Sequence, residues 1–137
     1  IKSHYLGTTS AQDILKQKFQ QYGVSLQQLQ LEGESSREDY LRSYHHVDFM
    51  LDTFPFPGGT TTCEALWMGV PTLTLAGETL LQRQGASLLT AAGLPEWIAY
   101  SEQEYIDKAI RFAQQPEYLH QLREPRFLLL ANLVKVF

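Results

Sequence analysis

Short apolar runs alternate along the chain with longer stretches whose apolar residues recur every three or four positions. The first long stretch, Ser10 to Tyr22, puts Ile14, Leu15, Lys18 and Phe19 on adjacent turns and predicts a helix that Gly23 ends. Leu29-Gln30-Leu31 predicts a short strand. Ser35-Ser36-Arg37-Glu38 supplies an N-cap with acid in the first turn, so a helix is expected from about Ser36 to His45. Val47 to Leu51, flanked by Asp52 and Thr53, suits a buried parallel strand. Phe54-Pro55-Phe56-Pro57-Gly58-Gly59 cannot be helical, and a helix should follow from about Thr61 to Met68, stopped by Gly69. Val70 to Leu75 reads as a second buried strand, Thr79 to Ala92 as a helix ended by Gly93, and Trp97 to Tyr100 as a short strand. Ser101 caps a helix whose apolar stripe is Tyr105, Ile106, Ala109, Ile110 and Ala113. Pro116, in a first-turn position, starts a last helix.

Strand and helix thus alternate about four times, the pattern of right-handed βαβ units and an α/β fold with a parallel sheet covered on both faces. Ligands of such sheets bind at the carboxyl ends of the strands. The loops after Leu31, Leu51 and Leu75 are therefore the expected functional ones, and the loop after Leu51 is the most unusual. Composition agrees with this class. The 137 residues are 44% hydrophobic and 19% charged, which suits one soluble domain and excludes global disorder, collagen repeats and a coiled coil. Lys plus Arg is 11 against 15 Asp plus Glu, a net charge of −4, so no nucleic-acid partner is expected. The one cysteine, Cys63, excludes an intrachain disulfide framework and a multi-cysteine zinc site. No HxxxH or HExxH spacing is present, and neither metal nor membrane is an expected partner; a spanning helix needs about 20 apolar residues in a row. Ile1-Lys2-Ser3-His4 is neither a signal peptide nor a natural start, which makes the cytoplasm the default and suggests a chain cut from something longer.

Leu51 to Gly69 reads LDTFPFPGGTTTCEALWMG. Two prolines stiffen the turn, and Gly58 and Gly59 let a ligand approach the backbone closely. The free amides of the next helix's first turn point into that space, the macrodipole adds about half a positive charge, and Thr60 and Thr61 bring hydroxyls. Together they form a phosphate cradle that needs no lysine. Glu64, one turn in, can accept hydrogen bonds from a ribose diol. A second reading stands beside this one: Thr61-Thr62-Cys63-Glu64 fits a capping box, with Thr61 as N-cap. Cys63 reads as a small core residue because no histidine is placed to activate it, and Trp67 also reads as core. Asp52, which closes a strand before a Pro-Gly loop, suggests the phosphoacceptor of a receiver domain. Such a domain also needs an acidic pair after its first strand and a late Lys-Pro, and neither is present.

The block GGTTTCEALWMGVPTLTLAGE closely resembles the nucleotide-sugar site of the O-linked N-acetylglucosamine transferases, glycosyltransferase family 41, and most of all the bacterial, SPINDLY-type members. Glu38 to Thr53 resembles the helix and strand before that site, and Gln82 to Ser87 and Ala91 to Ala99 resemble the segments after it, so the resemblance covers about Gly7 to Arg123. It implies part of the C-terminal, doubly wound Rossmann-like domain of a GT-B enzyme, one partial domain over residues 1–137 with helices from about 102 onward. Its donor would be UDP-N-acetylglucosamine, with no metal or other cofactor, and its acceptor Ser or Thr of a protein bound through a missing domain. By position, Gly58, Gly59, Thr60 and Thr61 would hold the diphosphate and Glu64 the ribose. Eukaryotic members have histidine at Gly59 and aspartate at Glu64. Arg37 stands where the family has a lysine near ribose and phosphates, Tyr40 where a histidine packs on the base, and the backbone near Ser35 would read the uracil edge. Without the family, Arg37 and Tyr40 read as an ordinary solvated helix face. Arg83 matches a family arginine, which either faces the interdomain cleft or lies on the surface.

Family members are several times longer. By the resemblance, an N-terminal domain and the first strands of the C-terminal one, with a phosphate-binding lysine, would precede Ile1, and no residue present reads as a catalytic base. The apolar run Phe127 to Phe137 departs from the family pattern and suggests a contact between copies of the chain. The expectation is a UDP-sugar-binding part of a transferase that alone binds UDP weakly and transfers nothing. The alternatives are a GT-B transferase for another UDP-sugar and a non-catalytic interaction remnant.

Overall fold

Thr8 opens the first helix: its Oγ1 accepts from the Ala11 amide at 3.3 Å, and α1 runs over Thr9–Gln21. Ser36 does the same for α2 (Arg37–Ser43), where its Oγ accepts from the Asp39 amide at 3.1 Å, as expected of an N-cap serine. A single 3₁₀ turn, Tyr44–His46, prolongs α2. The computed structural model describes residues 1–123, in which the chain forms one compact unit over Ile1–Tyr40 and a second from Leu41 onward. The apolar run Phe127 to Phe137 lies outside the described residues.

In the first unit, the expected strand at Leu29-Gln30-Leu31 does not form. A 3₁₀ turn at Leu26–Gln28, closed by a Ser25–Gln28 capping box, occupies the approach to it. Among the described residues the segment beyond that turn pairs at one point, a parallel bridge of Glu32 with Lys2. The amide of Ser3 donates to the Glu32 carbonyl at 3.0 Å and that of Glu32 to the Ile1 carbonyl at 2.9 Å. A single bridge holds the segment in place without making it a strand.

The second unit is a three-stranded parallel sheet with helices between its strands. β1 is Met50–Leu51, α3 Thr60–Trp67, β2 Thr72–Leu75, α4 Gln84–Ala92 and β3 Ile98–Ala99, in the order β1-β2-β3. Register pairs Met50 with Thr72 and Leu51 with Leu73, then Thr74 with Ile98 and Leu75 with Ala99. The central strand and its lead-in, Val70 to Thr74, are wholly buried, as a strand covered on both faces must be. β1 is only two residues long, because its backbone meets β2 at Pro71 and Leu73 and then turns away at Asp52. The expected Thr79–Ala92 helix begins late. Gln82 Oε1 accepts from the Glu78 and Thr79 amides, and a 3₁₀ turn at Leu81–Arg83 precedes α4. Gly23, Gly69 and Gly93, expected to end helices, have φ of 79, 77 and 79°, in the left-handed region that glycine enters freely.

α5 (Glu102–Ala113) is capped by Ser101, whose Oγ accepts from the Glu104 amide, and α6 is Pro116–Arg123. The buried stripe of α5 differs from the one expected. Phe112 is buried and Tyr105, Lys108 and Ala109 are partly so, whereas Ile106 and Ile110 are 50% and 53% exposed and Ala113 is exposed. Phe112 rotates the stripe by stacking on Trp97, with ring centroids 3.9 Å apart and planes 15° from parallel. Around this pair Leu66, Leu73, Leu89, Leu94, Ile98 and Leu119 complete the core.

Trp67, expected in the core, is 61% exposed. α3 buries Thr62, Ala65 and Leu66, three and four positions apart, and the next residue falls on the outer side. Among the described residues no helix is long and apolar enough to cross a membrane, and no group of three or more His, Cys, Asp and Glu is placed to hold a metal ion.

Candidate functional site

Asp52 leaves the sheet at the carboxyl end of β1 and remains buried, 8% exposed. Its amide donates to the Leu73 carbonyl at 2.9 Å, still in the register of β2. Its Oδ1 accepts from the Gly58 amide at 2.6 Å and its Oδ2 from Thr74 Oγ1 at 2.8 Å. The carbonyl oxygen of Asp52 accepts from the Tyr105 hydroxyl at 2.9 Å. Burial pushes the carboxyl pKa up, against the Gly58 amide, the Thr74 hydroxyl and the Thr53 amide, which favour the ionised form. With both oxygens engaged by the protein, Asp52 is not arranged as a receiver-type phosphoacceptor.

The loop from Thr53 to Gly59 therefore leaves and returns to one carboxylate. Thr53 Oγ1 donates to the Phe56 carbonyl at 3.3 Å within it. Gly59 is the N-cap of α3, and the Cys63 amide donates to its carbonyl at 3.1 Å as the first bond of the helix. Among the described residues no side chain caps this end. The capping box read at Thr61 and Glu64 is not formed, because the helix starts one residue earlier than expected. Thr62 Oγ1 turns back to donate to the Gly58 carbonyl at 2.8 Å. Among the described residues no protein group accepts from the amides of Gly59, Thr60, Thr61 or Thr62. These are the orphan donors of a helix N-terminus, which attract an anion. Thr60 and Thr61 are exposed beside them.

Of the four residues read as a diphosphate seat, Gly58 has its amide committed to Asp52, so the open donors begin at Gly59. A Cβ at Gly59 would lie 2.6 Å from Gln84 Nε2. The first side chain of α4 therefore neighbours the backbone there. Glu64, half-buried, follows Thr60 by four positions and Thr61 by three, on the same side of α3. Cys63 is half-buried, and burial first, then the charge of Glu64, pushes its thiol pKa up, the opposite of what a nucleophile needs. Arg83 donates from Nη1 to the Gly77 carbonyl at 3.1 Å and so braces the loop after β2 from an exposed position.

The residues read as a base site, and Arg37 of the two read for the ribose, lie in the first unit, whereas Glu64 lies in the second. Ser35, Arg37 and Tyr40 line a shallow hollow of about 300 Å³ together with Lys2, Ser3, His4, Gly33 and Glu34. The Arg37 guanidinium sits 5.6 Å from the Tyr40 ring centroid, a cation–π distance. Lys2 pairs with Glu32 at 3.0 Å and His4 Nδ1 with Glu34 at 3.0 Å, so both signs of charge border the hollow.

Sequence reasoning missed Thr74, Gly85 and Tyr105, which converge on Asp52. One signal was available. Thr72 and Thr74 are polar residues at period two in a run otherwise apolar and buried, and a buried hydroxyl needs a partner.

The sequence profile of Glycosyl transferase family 41 matches residues 7–130. The chain is similar to the probable UDP-N-acetylglucosamine–peptide N-acetylglucosaminyltransferase SPINDLY of Oryza sativa subsp. japonica, 46% identical over 85 residues, which are 62% of this chain and 9% of that protein. The protein of the same description in Arabidopsis thaliana is 38% identical over 119 residues, 81% of this chain and 13% of its own length. Among solved structures, a mutant of the Thermobaculum terrenum O-GlcNAc transferase superposes with a TM-score of 0.86 at 37% identity, covering 96% of this chain and 25% of that one. The chain spans about a tenth of the length of the curated relatives it matches.

Proposed function

The chain belongs to glycosyl transferase family 41, and on that premise we propose that it is the UDP-sugar-binding part of an enzyme that transfers N-acetylglucosamine to Ser or Thr of proteins. The observation that carries the reading is the run of amides from Gly59 to Thr62, which find no acceptor among the described residues and lie at the N-terminus of the helix that follows the loop leaving a parallel strand. A diphosphate offers the acceptors those donors lack, and the exposed Thr60 and Thr61 hydroxyls add two more donors. Glu64, one turn along, accepts from the ribose diol. By itself, the first unit offers the Tyr40 ring as a face on which a uracil can stack, with the Ser35 backbone and the Arg37 cation in the same hollow.

In such a transfer the acceptor oxygen bonds to the anomeric carbon, the bond from that carbon to the diphosphate oxygen breaks, and its electron pair leaves with UDP. The amides of Gly59 to Thr62 stabilise the charge that gathers on the departing phosphate, which is where fixed dipoles lower a barrier most. The acceptor protein and the base that takes its proton belong to the parent enzyme in this reading. No metal is needed, because the helix end supplies the positive pole.

Calorimetric titration of UDP into the chain tests the proposal. Saturable binding that weakens at least about tenfold in Thr61→Val and in Glu64→Ala is expected, each variant removing one or two hydrogen bonds to the ligand. Binding unchanged in both, or absent from the wild-type chain, would overturn it. Competition by UDP-N-acetylglucosamine against other UDP-sugars in the parent protein then identifies the donor.

A further inference from the structure

Three elements and a loop meet at Asp52, and none of its contacts reaches outward. β2 gives it the Thr74 hydroxyl, the loop gives it the Gly58 amide, and α5 gives its carbonyl oxygen the Tyr105 hydroxyl. α4 packs against the same point without a side chain. A Cβ at Gly85 would lie 2.5 Å from Thr74 Oγ1 and 2.8 Å from Asp52 Oδ2. The helix can approach this closely only because position 85 is glycine. A buried carboxylate is costly unless paired, and this one is stabilised by the loop it holds.

Resting on the reading of the Gly59–Thr62 amides as an anion seat, we propose that Asp52 is a positioning residue for that seat. Its carboxylate joins Thr74 of the rigid central strand to Gly58 of the loop and so fixes the bend that aims the following four amides. Gly58 lies one residue before the first open donor, and its carbonyl also receives the Thr62 hydroxyl. The residue that anchors the Gly58 amide thus sets the peptide plane from which the seat begins. Glycines at 58 and 59 leave this stretch no side-chain packing of its own, so the anchor has to come from elsewhere. Asp52 itself touches no ligand in this role. Its two carboxylate oxygens are engaged by an amide and a hydroxyl of the protein.

What matters in this arrangement is hydrogen-bonding shape rather than charge. Asparagine has the same shape: its oxygen can accept from the Gly58 amide while its amide group donates to Thr74 Oγ1. Asp52→Asn is therefore expected to bind UDP within about threefold of wild type or more tightly, since a charge opposing the diphosphate is removed. Asp52→Ala is expected to bind at least about tenfold more weakly. Thr74→Val, which removes one bond and keeps the side-chain shape, decides the matter if the alanine variant does not fold; it is expected to weaken binding by about threefold or more. Thr72→Val is the control on the same strand. Its hydroxyl is buried without a partner among the described residues, so its loss leaves binding unchanged.

The amide resonances of Gly58 to Thr62, recorded without ligand, separate this inference from the reading it rests on. They are expected to shift in Thr74→Val and to stay in place in Thr72→Val. If wild type binds no UDP, the site reading fails while the amide shifts still test the positioning. If wild type binds UDP and folded Asp52→Ala or Thr74→Val binds equally well, or if Asp52→Asn loses binding as the alanine variant does, the positioning role is overturned.

Discussion

Gly85→Ala puts a methyl group where α4, β2 and Asp52 converge. The added carbon would sit 2.5 Å from Thr74 Oγ1, 2.8 Å from Asp52 Oδ2 and 3.1 Å from Thr74 Cβ. All three fall inside the ~3.5 Å at which non-bonded atoms rest. Neither neighbour is a loose side-chain end, since Thr74 is wholly buried and its hydroxyl is engaged by Asp52 at 2.8 Å. The strain is relieved either by turning Thr74 away, which forfeits a hydrogen bond to a carboxylate worth about 1.5–3 kcal/mol, or by moving α4, at an overpacking cost of about 1–3 kcal/mol. Alanine returns up to about 1 kcal/mol of helix propensity, less in a first turn such as this. The net expectation is a loss of about 1–2 kcal/mol, or a fall of about 3–10 °C in Tm for a chain of this size. Urea unfolding of Gly85→Ala, Thr74→Ala and the double variant measures it. Because Thr74→Ala makes room for the methyl group, the two substitutions should couple by about 1 kcal/mol. A single Gly85→Ala variant as stable as wild type, or a double variant that is simply additive, would refute so close an approach of α4 to β2.

Two further outcomes are expected of the same cluster. Burial and then the Asp52 charge push the Tyr105 phenol up to about 12. An ultraviolet tyrosine titration of the folded chain should therefore show a late step that Tyr105→Phe removes, with about 0.5–1.5 kcal/mol of stability lost with the bond to the Asp52 carbonyl. Completion of all tyrosine ionisation near pH 10 would contradict it. Burial also raises the Asp52 carboxyl, so the folded chain keeps that proton to higher pH than the unfolded chain. The group's contribution to stability is whole below the ordinary aspartate pKa and falls as pH rises through the folded one. The stability of Asp52→Asn relative to wild type should accordingly improve as pH rises above the ordinary aspartate pKa in urea unfolding. A flat or opposite trend would exclude this.

The parallel sheet was readable because its central strand and lead-in form a buried run, Val70 to Thr74, set between two helical patterns. The opening of α3 was readable to within a residue, because prolines and glycines forbid helix before Thr60. Leu29 to Leu31 has the same apolar alternation as a strand, yet pairing depends on a neighbour, and only Lys2 meets Glu32. On α5 the helical period was right and the face partly so: Tyr105 and Ala109 pack on the core, while Ile106, Ile110 and Ala113 are exposed. Periodicity allows several stripes on a helix rich in apolar residues, and Trp97 selects the one carrying Phe112. Trp67 was misjudged because size alone suggested burial, while Thr62, Ala65 and Leu66 set the facing side of α3. At the site, Gly59 to Thr61 and Glu64 could be singled out from loop chemistry. The partners of Asp52 could not, since Thr74, Gly85 and Tyr105 lie 22 to 53 positions away and only folding brings them together.

The two tryptophans occupy opposite environments, Trp97 sealed in the core and Trp67 61% exposed at the far end of the helix that begins beside the proposed anion seat. Their fluorescence is therefore a pair of independent optical signals within one polypeptide. The blue, quencher-resistant emission of Trp97 reports whether the sheet and its covering helices remain assembled. The red, quencher-accessible emission of Trp67 reports on the surface of α3, so changes at that helix can be watched without an added dye.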